Sequence, residues 1–378
     1  MSLTVKHLNN DASFLLTFQP IQHFPSSFKS AASPFTIVLD PWITGTSKIW
    51  HPKFSISRQK QPSCIASLTE LPEPDLVIIS QDKSDHCHEQ TLTQLPPSGG
   101  KTLILAEPSA AKVIRGWKHF SPSKIITLPK WEDTRRNTKP SPIYRIPVPP
   151  IFPGGPPGEV TITFLSQPRD ITGLHSAIGI TYRPPAASER FGMLPPTPPD
   201  SPRSCQSTFS NSLTDRTLSV IFSPHGCSYK TLAPYVTSHL IAEAALPLTA
   251  LLHCYDRVQN AWYMGGNICA GFPGGLEIAQ NLGAKVWISA HDGDKESKGF
   301  ANNKITIQKY PREEVVSVVS PKSDRFPSRR TGTEAVILEA GEEMMLTRAM
   351  EFADDDDTDD TDTSMMKLDS VARILRMT

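Results

Sequence analysis

Leu76-Val77-Ile78-Ile79-Ser80-Gln81-Asp82-Lys83-Ser84-Asp85-His86-Cys87-His88 runs from a short apolar segment straight into side chains able to bind a metal ion. The apolar part is continuous rather than alternating and follows Pro72 and Pro74, the pattern of a strand buried on both faces. A helix is expected over residues 88–95, closed by Pro96-Pro97. The polar cluster therefore falls where a buried strand hands over to a covering helix. In layered α/β proteins that edge is where sites are built.

The same arrangement recurs along the chain. Residues 13–18 and 35–40 read as strands, the second stopped by Pro41, with an irregular connection over residues 20–34. Strands are expected at 102–106 and 124–128 around a helix at Pro108–Gly116, and at 160–165 and 177–182 around a polar loop holding His175. The strand at 218–222 leads to Ser223-Pro224-His225-Gly226. A helix at 235–245, a strand at 248–253, a helix at 275–282 and a strand at 285–290 then lead to His291-Asp292.

Taken in chain order, these features resemble the metallo-β-lactamase superfamily, in which a strand ends in a His-x-His-x-Asp-His loop that holds one or two metal ions. Gln81 and Lys83 stand where the two leading histidines belong, while Asp85 and His86 are in register. Asp40 matches the acid that holds the metal loop by hydrogen bonds. His175 matches the third histidine, His225 stands in place of the strand-end aspartate, and His291 matches the last histidine. The Asp40-Pro41-Trp42 turn and the His291-Asp292-Gly293-Asp294-Lys295 segment are most similar to the L-ascorbate-6-phosphate-lactonase-like branch. The resemblance spans about residues 4–310 and implies an α/β fold, a four-layer αββα sandwich occupying residues 1–350.

Carried over residue by residue, the resemblance implies an asymmetric centre. The first metal position keeps only His175, with Gln81 a weak oxygen donor and Lys83 an ammonium without a lone pair. The second keeps Asp85, His86 and His291, with His225 replacing the bridging carboxylate. Such a set suits one divalent metal ion, Zn²⁺ first, with Fe²⁺ or Mn²⁺ less specific alternatives. Asp85 and Lys83 are the expected catalytic groups, the Lys83 cation standing in for the absent first ion unless it swings out to solvent. A rearranged site using His88 is an alternative. Tyr255 and Asp256 are candidate substrate contacts, and Asp292 or Asp294 is expected to orient His291.

Composition narrows the function classes. The formal charge is zero, yet seven aspartates between 354 and 362 leave roughly +7 on the remainder. That excess is dispersed, and no basic block with interleaved aromatics points to nucleic acid. No apolar run approaches the roughly 20 residues of a membrane span, and the N-terminus lacks a secretory apolar core. The six cysteines, at 64, 87, 205, 227, 254 and 269, form no Cys-x-x-Cys pair and suggest neither a zinc knuckle nor a disulfide scaffold. A cytoplasmic protein with reduced thiols is expected. Residues 184–216 read as a Pro/Ser-rich disordered insertion and residues 351–378 as an acidic low-complexity tail.

Two functions compete at this level. One is a single-metal hydrolase of a lactone, ester or phosphoester, acting on a small and possibly anionic molecule through metal-bound water. The other is a catalytically inactive member of the superfamily that binds a small anion or a protein. Metal content separates them.

Overall fold

Two hydrophobic layers follow from the period-2 geometry of the central strands. In Leu76–Ile79, successive side chains point to opposite faces and all four are buried. Leu76 and Ile78 join a core shared by two sheets, whereas Val77 and Ile79 join a second core under the helices Glu89–Leu92 and Pro108–Gly116. The neighbouring strands divide the same way. Ile37, Leu39 and Leu105 face the shared core, and Val38, Ile104 and Ala106 face the helices.

The computed structural model describes residues 1–20, 33–49, 51, 53–133, 142–151, 154–185, 217–300, 305–320 and 332–347, all within the unit Met1–Arg348. The acidic tail, nearly all of the 184–216 insertion and most of the 20–34 connection lie outside the described residues. Within them the chain forms two seven-stranded sheets. The first runs Glu343–Thr347, Ser2–His7, Phe14–Gln19, Phe35–Leu39, Leu76–Ile79, Leu103–Ala106, Ile125–Thr127. The second runs Glu334–Val336, Val286–Ser289, Ala250–His253, Leu218–Ser223, Ser176–Arg183, Gly158–Ser166, Tyr144–Val148.

The sheets pack face to face. Phe18 of the first stacks on Tyr182 of the second with centroids 4.9 Å apart, and Phe14 meets Phe222 edge-on at 6.4 Å. The outer face of the second sheet is covered by the helix Gly271–Leu282, whose Phe272 stacks on Trp287 at 5.9 Å. The result is a mixed α/β sandwich with helices outside two central sheets, as the sequence implies.

Some local expectations shift. The helix expected at 235–245 forms at Tyr229–Tyr235 and passes into a π-turn over Val236–Leu240. Pro234 has no amide to donate and crowds the preceding turn, so the chain widens just after it. Two three-stranded sheets were not foreseen, because their strands are short and polar. One joins Arg257–Gln259, Asn267–Cys269 and Thr306–Gln308, and the other joins Thr46–Ile49, Ser55–Gln59 and Lys295–Lys298. No helix among the described residues is long and apolar enough to cross a membrane.

In both main sheets the parallel strands end at one edge. Phe35–Leu39 pairs parallel with Leu76–Ile79, and Leu218–Ser223 pairs parallel with Ala250–His253, which in turn pairs with Val286–Ser289. Asp40, the 81–88 loop, His225 and His291 all emerge where these strands stop.

Candidate metal centre

His86, His225 and His291 meet at that edge. One ring nitrogen from each lies within 4.8 Å of the others, and the ring centroids are 4.3–5.1 Å apart. The Nε2 atoms of His86 and His225 lie 3.1 Å apart.

Each imidazole is held by its other nitrogen. His86 Nδ1 donates to Asp40 Oδ2 at 2.7 Å, both side chains being fully buried. His225 Nδ1 donates to the Ile268 carbonyl at 3.0 Å, an acceptor fixed by the small strand Asn267–Cys269. His291 Nδ1 lies 3.1 Å from Asp11 Oδ1. Asp40 is itself anchored: the Ser80 N–H donates to Oδ1 at 2.7 Å and the Ser80 hydroxyl to Oδ2. Its backbone sits at φ +39°, a left-handed conformation that aspartate tolerates better than most residues. Carboxylates and carbonyls on the outer nitrogens fix the tautomer and leave Nε2 as the inward lone pair.

Two inward lone pairs at 3.1 Å repel unless a cation lies between them. A proton satisfies one pair and a metal ion satisfies all three rings. Asp85 Oδ1, buried beside the cluster with no hydrogen-bond partner, adds a further free donor atom. Three imidazoles and a nearby carboxylate are the donor chemistry of a divalent transition metal, so the residues present fit such an ion.

Electrostatics agree with that fit. Burial opposes the charge on Asp85, but the cations of His86, Lys295 and His291 outweigh it and hold the carboxyl below its usual range. Burial also works against a charged His86, yet Asp85 and Asp40 raise it. His225 is driven well below the ordinary imidazole range by burial and by the positive charge of His291, His86 and Lys295. A neutral His225 is the form that ligates.

Asp11 and Lys295 complete the centre, and neither was singled out from sequence. Asp11 lies in the turn between Ser2–His7 and Phe14–Gln19, where Asn9 Oδ1 accepts from the backbone amides of Asp11 and Ser13. Lys295 opens the strand that pairs with Ser55–Gln59. Its Nζ lies 2.9 Å from Asp11 Oδ2, 3.8 Å from Asp85 Oδ2 and 3.4 Å from His291 Nδ1. The usable signal was the need of a buried His291 for an acceptor on Nδ1, together with a hairpin turn placed at the same edge.

Several expected roles are corrected. Lys83 turns to Asp82 at 2.6 Å, so its ammonium does not fill a first metal position. His175 faces carbonyls with both nitrogens, Gly226 at 2.8 Å and Asn267 at 3.1 Å, and stands outside the histidine cluster. Gln81 is buried, and its Oε1 has no hydrogen-bond partner among the described residues. His88 bonds through Nδ1 to Thr91 Oγ1 and packs near Trp42, bracing the loop instead of entering the site. Tyr255 is no substrate contact: its hydroxyl is buried against the Trp287 and Val336 carbonyls. Asp256 accepts from the Tyr310 amide. Asp292 accepts from the Tyr255 and Asp256 amides and the Ser289 hydroxyl, so it ties two loops together while Asp11 orients His291. Burial pushes the Asp292 carboxyl up to about 7, against the pull of those donors. Asp294 pairs at the surface with Lys60 and Lys309.

The fold is a mixed α/β sandwich of the metallo-β-lactamase-like type, with three histidines gathered at the edge where its parallel strands end. Residues 23–140, which hold Asp40, Asp85 and His86, match the family model described as the beta-lactamase superfamily domain. Among solved structures the chain is similar to Igni18, a metallo hydrolase from the archaeon Ignicoccus hospitalis, with 12% identity over 92% of this chain and 99% of that one and a TM-score of 0.43. It is also similar to CmlA, a diiron β-hydroxylase from Streptomyces venezuelae, with 13% identity, coverage of 91% and 54%, and a TM-score of 0.47. A third is the metallo-beta-lactamase fold protein YhfI from Bacillus subtilis, with 11% identity, coverage of 91% and 99%, and a TM-score of 0.41. No curated protein matches the chain.

Proposed function

We propose that the protein is a single-metal hydrolase of a small ester, lactone or phosphoester. The observation that carries this reading is the convergence of one ring nitrogen from each of His86, His225 and His291, whose Nδ1 atoms face Asp40, Ile268 and Asp11. His86, His225 and His291 would hold the ion, Zn²⁺ being the best match for imidazole donors with Fe²⁺ or Mn²⁺ next. When bound, a divalent ion supplies Lewis acidity and lowers the pKa of water it contacts.

The chain's own groups then have defined tasks. Asp85, with one oxygen unpartnered, is placed either to ligate or to accept a proton from the attacking water. Lys295 brings positive charge to the same edge, which favours an anionic substrate and the negative charge that develops during attack on a carbonyl or phosphoryl centre. Asp40, Asp11 and the Ile268 carbonyl hold the imidazoles in the ligating tautomer.

The test is metal content after chelator-free purification, followed by turnover on a panel of aryl esters, lactones and phosphoesters. About one ion per chain and chelator-sensitive hydrolysis support the proposal. Folded protein that takes up no ion refutes it. A metal-loaded protein inert on the whole panel would instead favour the second reading, a module that binds a small anion, to which the engagement of Lys83 and His175 elsewhere already points.

A further inference from the structure

Three aromatic side chains stand exposed among the described residues, Trp262, Tyr263 and Phe300, and all three sit on elements that touch the histidine cluster. Trp262 and Tyr263 cap the hairpin between Arg257–Gln259 and Asn267–Cys269, whose Ile268 carbonyl orients His225. Phe300 follows Lys295–Lys298, the strand whose first residue reaches Asp11 and Asp85. Ile171, 95% exposed, joins the first group from the loop before His175. That loop packs on the hairpin: Thr172 lies beside Gly265, and His175 Nε2 faces the Asn267 carbonyl at 3.1 Å. Single exposed hydrophobics are ordinary, whereas a group of them at the rim of a site marks a contact surface. With Trp262 87% and Tyr263 63% exposed, the rings line no pocket, and only a surface laid over them removes them from water.

The charge around this rim is positive. Arg169 is exposed on the Ile171 loop. In the other small sheet Lys48 and Lys298 flank Ile56 from the two neighbouring strands and so share one face. The opposite face is the one tied inward, where Ser47 bonds Ser84 and Ser57 bonds Ser297. Lys53 adjoins Phe300, whose amide donates to its carbonyl at 3.1 Å. These four cations are exposed, and none forms an ion pair with another described residue. A protein partner needs a broad packed face. Separate protruding tips, each an apolar body with a polar end in the case of Trp262 and Tyr263, suit a fluid layer instead. We propose that this rim docks on an anionic lipid surface, Trp262 and Tyr263 seating at the headgroup boundary and the cations meeting the headgroup charge. The contact is peripheral and needs no spanning helix.

The experiment is cosedimentation of the full chain with vesicles of phosphatidylcholine alone and of phosphatidylcholine mixed equally with phosphatidylserine. Wild type is expected to partition onto the mixed vesicles and to be released by salt. Trp262→Ala/Tyr263→Ala should weaken partitioning by about tenfold or more, tenfold being ~1.4 kcal/mol. Lys48→Glu/Lys298→Glu should remove the preference for phosphatidylserine. Ile241→Ala, which alters an exposed apolar residue outside these elements, should bind as wild type does. Wild type that stays in solution with both vesicles, or an aromatic or charge variant that binds as wild type does, overturns the proposal. So does a wild-type dimer, abolished by the aromatic variant, with no vesicle binding: the patch would then serve a second copy of the chain. If the aromatic variant does not fold, Ile171→Ser/Phe300→Ser carries the same comparison. Docking requires no ion, so the result is independent of the hydrolase reading.

Discussion

Asp40→Asn tests the centre through a residue that touches no ion. Asp40 receives three buried donors: His86 Nδ1–H and the Ser80 hydroxyl on Oδ2, and the Ser80 amide on Oδ1. The substitution keeps the volume but replaces one acceptor oxygen with an NH₂ group. With the amide oxygen at the Oδ1 position, the Ser80 amide is served and the NH₂ confronts His86. The ring then moves its proton to Nε2 and loses the lone pair that faces His225 and His291. With the oxygen at the Oδ2 position, His86 is served and the NH₂ confronts the Ser80 amide. An unpaired buried amide costs about 1–3 kcal/mol.

Either orientation is damaging, and the lost negative charge weakens cation binding in both. Replacing such an orienting partner typically lowers metal affinity about 10- to 100-fold, or roughly 1.4–2.8 kcal/mol. Competition with a chromophoric chelator measures the affinity, and thermal denaturation of metal-free protein measures the stability. The first orientation predicts a weaker affinity at nearly constant stability, and the second a loss of stability. An Asp40→Asn protein with the wild-type melting point and a metal affinity within twofold of wild type would refute the reasoning, because the Asp40–His86 bond would then be idle.

Other substitutions separate ligands from neighbours. His225→Ala should take bound metal from about one ion per chain to below detection, whereas His175→Ala should leave the count unchanged, since both His175 nitrogens serve backbone carbonyls; metal analysis of the two variants decides. Lys83→Ala should alter neither metal content nor stability by more than about 1 kcal/mol, because its pair with Asp82 is about a third exposed and surface pairs contribute little; chemical denaturation measures it. Gly275→Ala should destabilise by about 1–3 kcal/mol, as the added Cβ would collide with the buried Trp287 ring, and that overpacking exceeds the roughly 1 kcal/mol gained in helix propensity; a higher denaturation midpoint would contradict it. His239 is held below its unfolded value of about 6.5 by burial, against the pull of Glu243, so the unfolded chain takes up this proton first as pH falls. The stability of wild type relative to His239→Gln should therefore be constant above neutrality, decline as pH falls through about 6.5, and level off below the folded value. Paired melting curves from pH 8 to 5 read the difference, and a flat difference would contradict it.

The sandwich was legible because its central strands advertise themselves. Leu76–Ile79 is apolar on both faces and Leu218–Ser223 is buried on both, which a sheet covered on both sides demands, and each runs on toward a histidine. His86, His225 and His291 were accessible for the same reason: each ends or closely follows such a strand. What stayed hidden came from segments without a periodic signature. Asp11 belongs to a hairpin turn that reads as ordinary turn chemistry, and Lys295 to an edge strand of a small polar sheet. Short polar strands bury too little for a pattern to emerge, and their pairing partner lies far away in sequence, Lys295 against Gln59.

That difference explains the reversal of roles between two lysines. Lys83 falls where the sequence resemblance expects a ligand, but its loop turns the side chain to Asp82. Asp85 still needs a cation nearby, since an unneutralised carboxylate at this depth is costly. The need is met from across the fold by Lys295, whose Nζ lies 2.9 Å from Asp11 and 3.8 Å from Asp85. Motif position records which strand end a residue occupies. Where the charge goes is decided by which buried carboxylates lack a partner, and that is a property of the assembled edge. With Gln and Lys at positions 81 and 83, the charge of Asp11 is met by Lys295 from a distant strand.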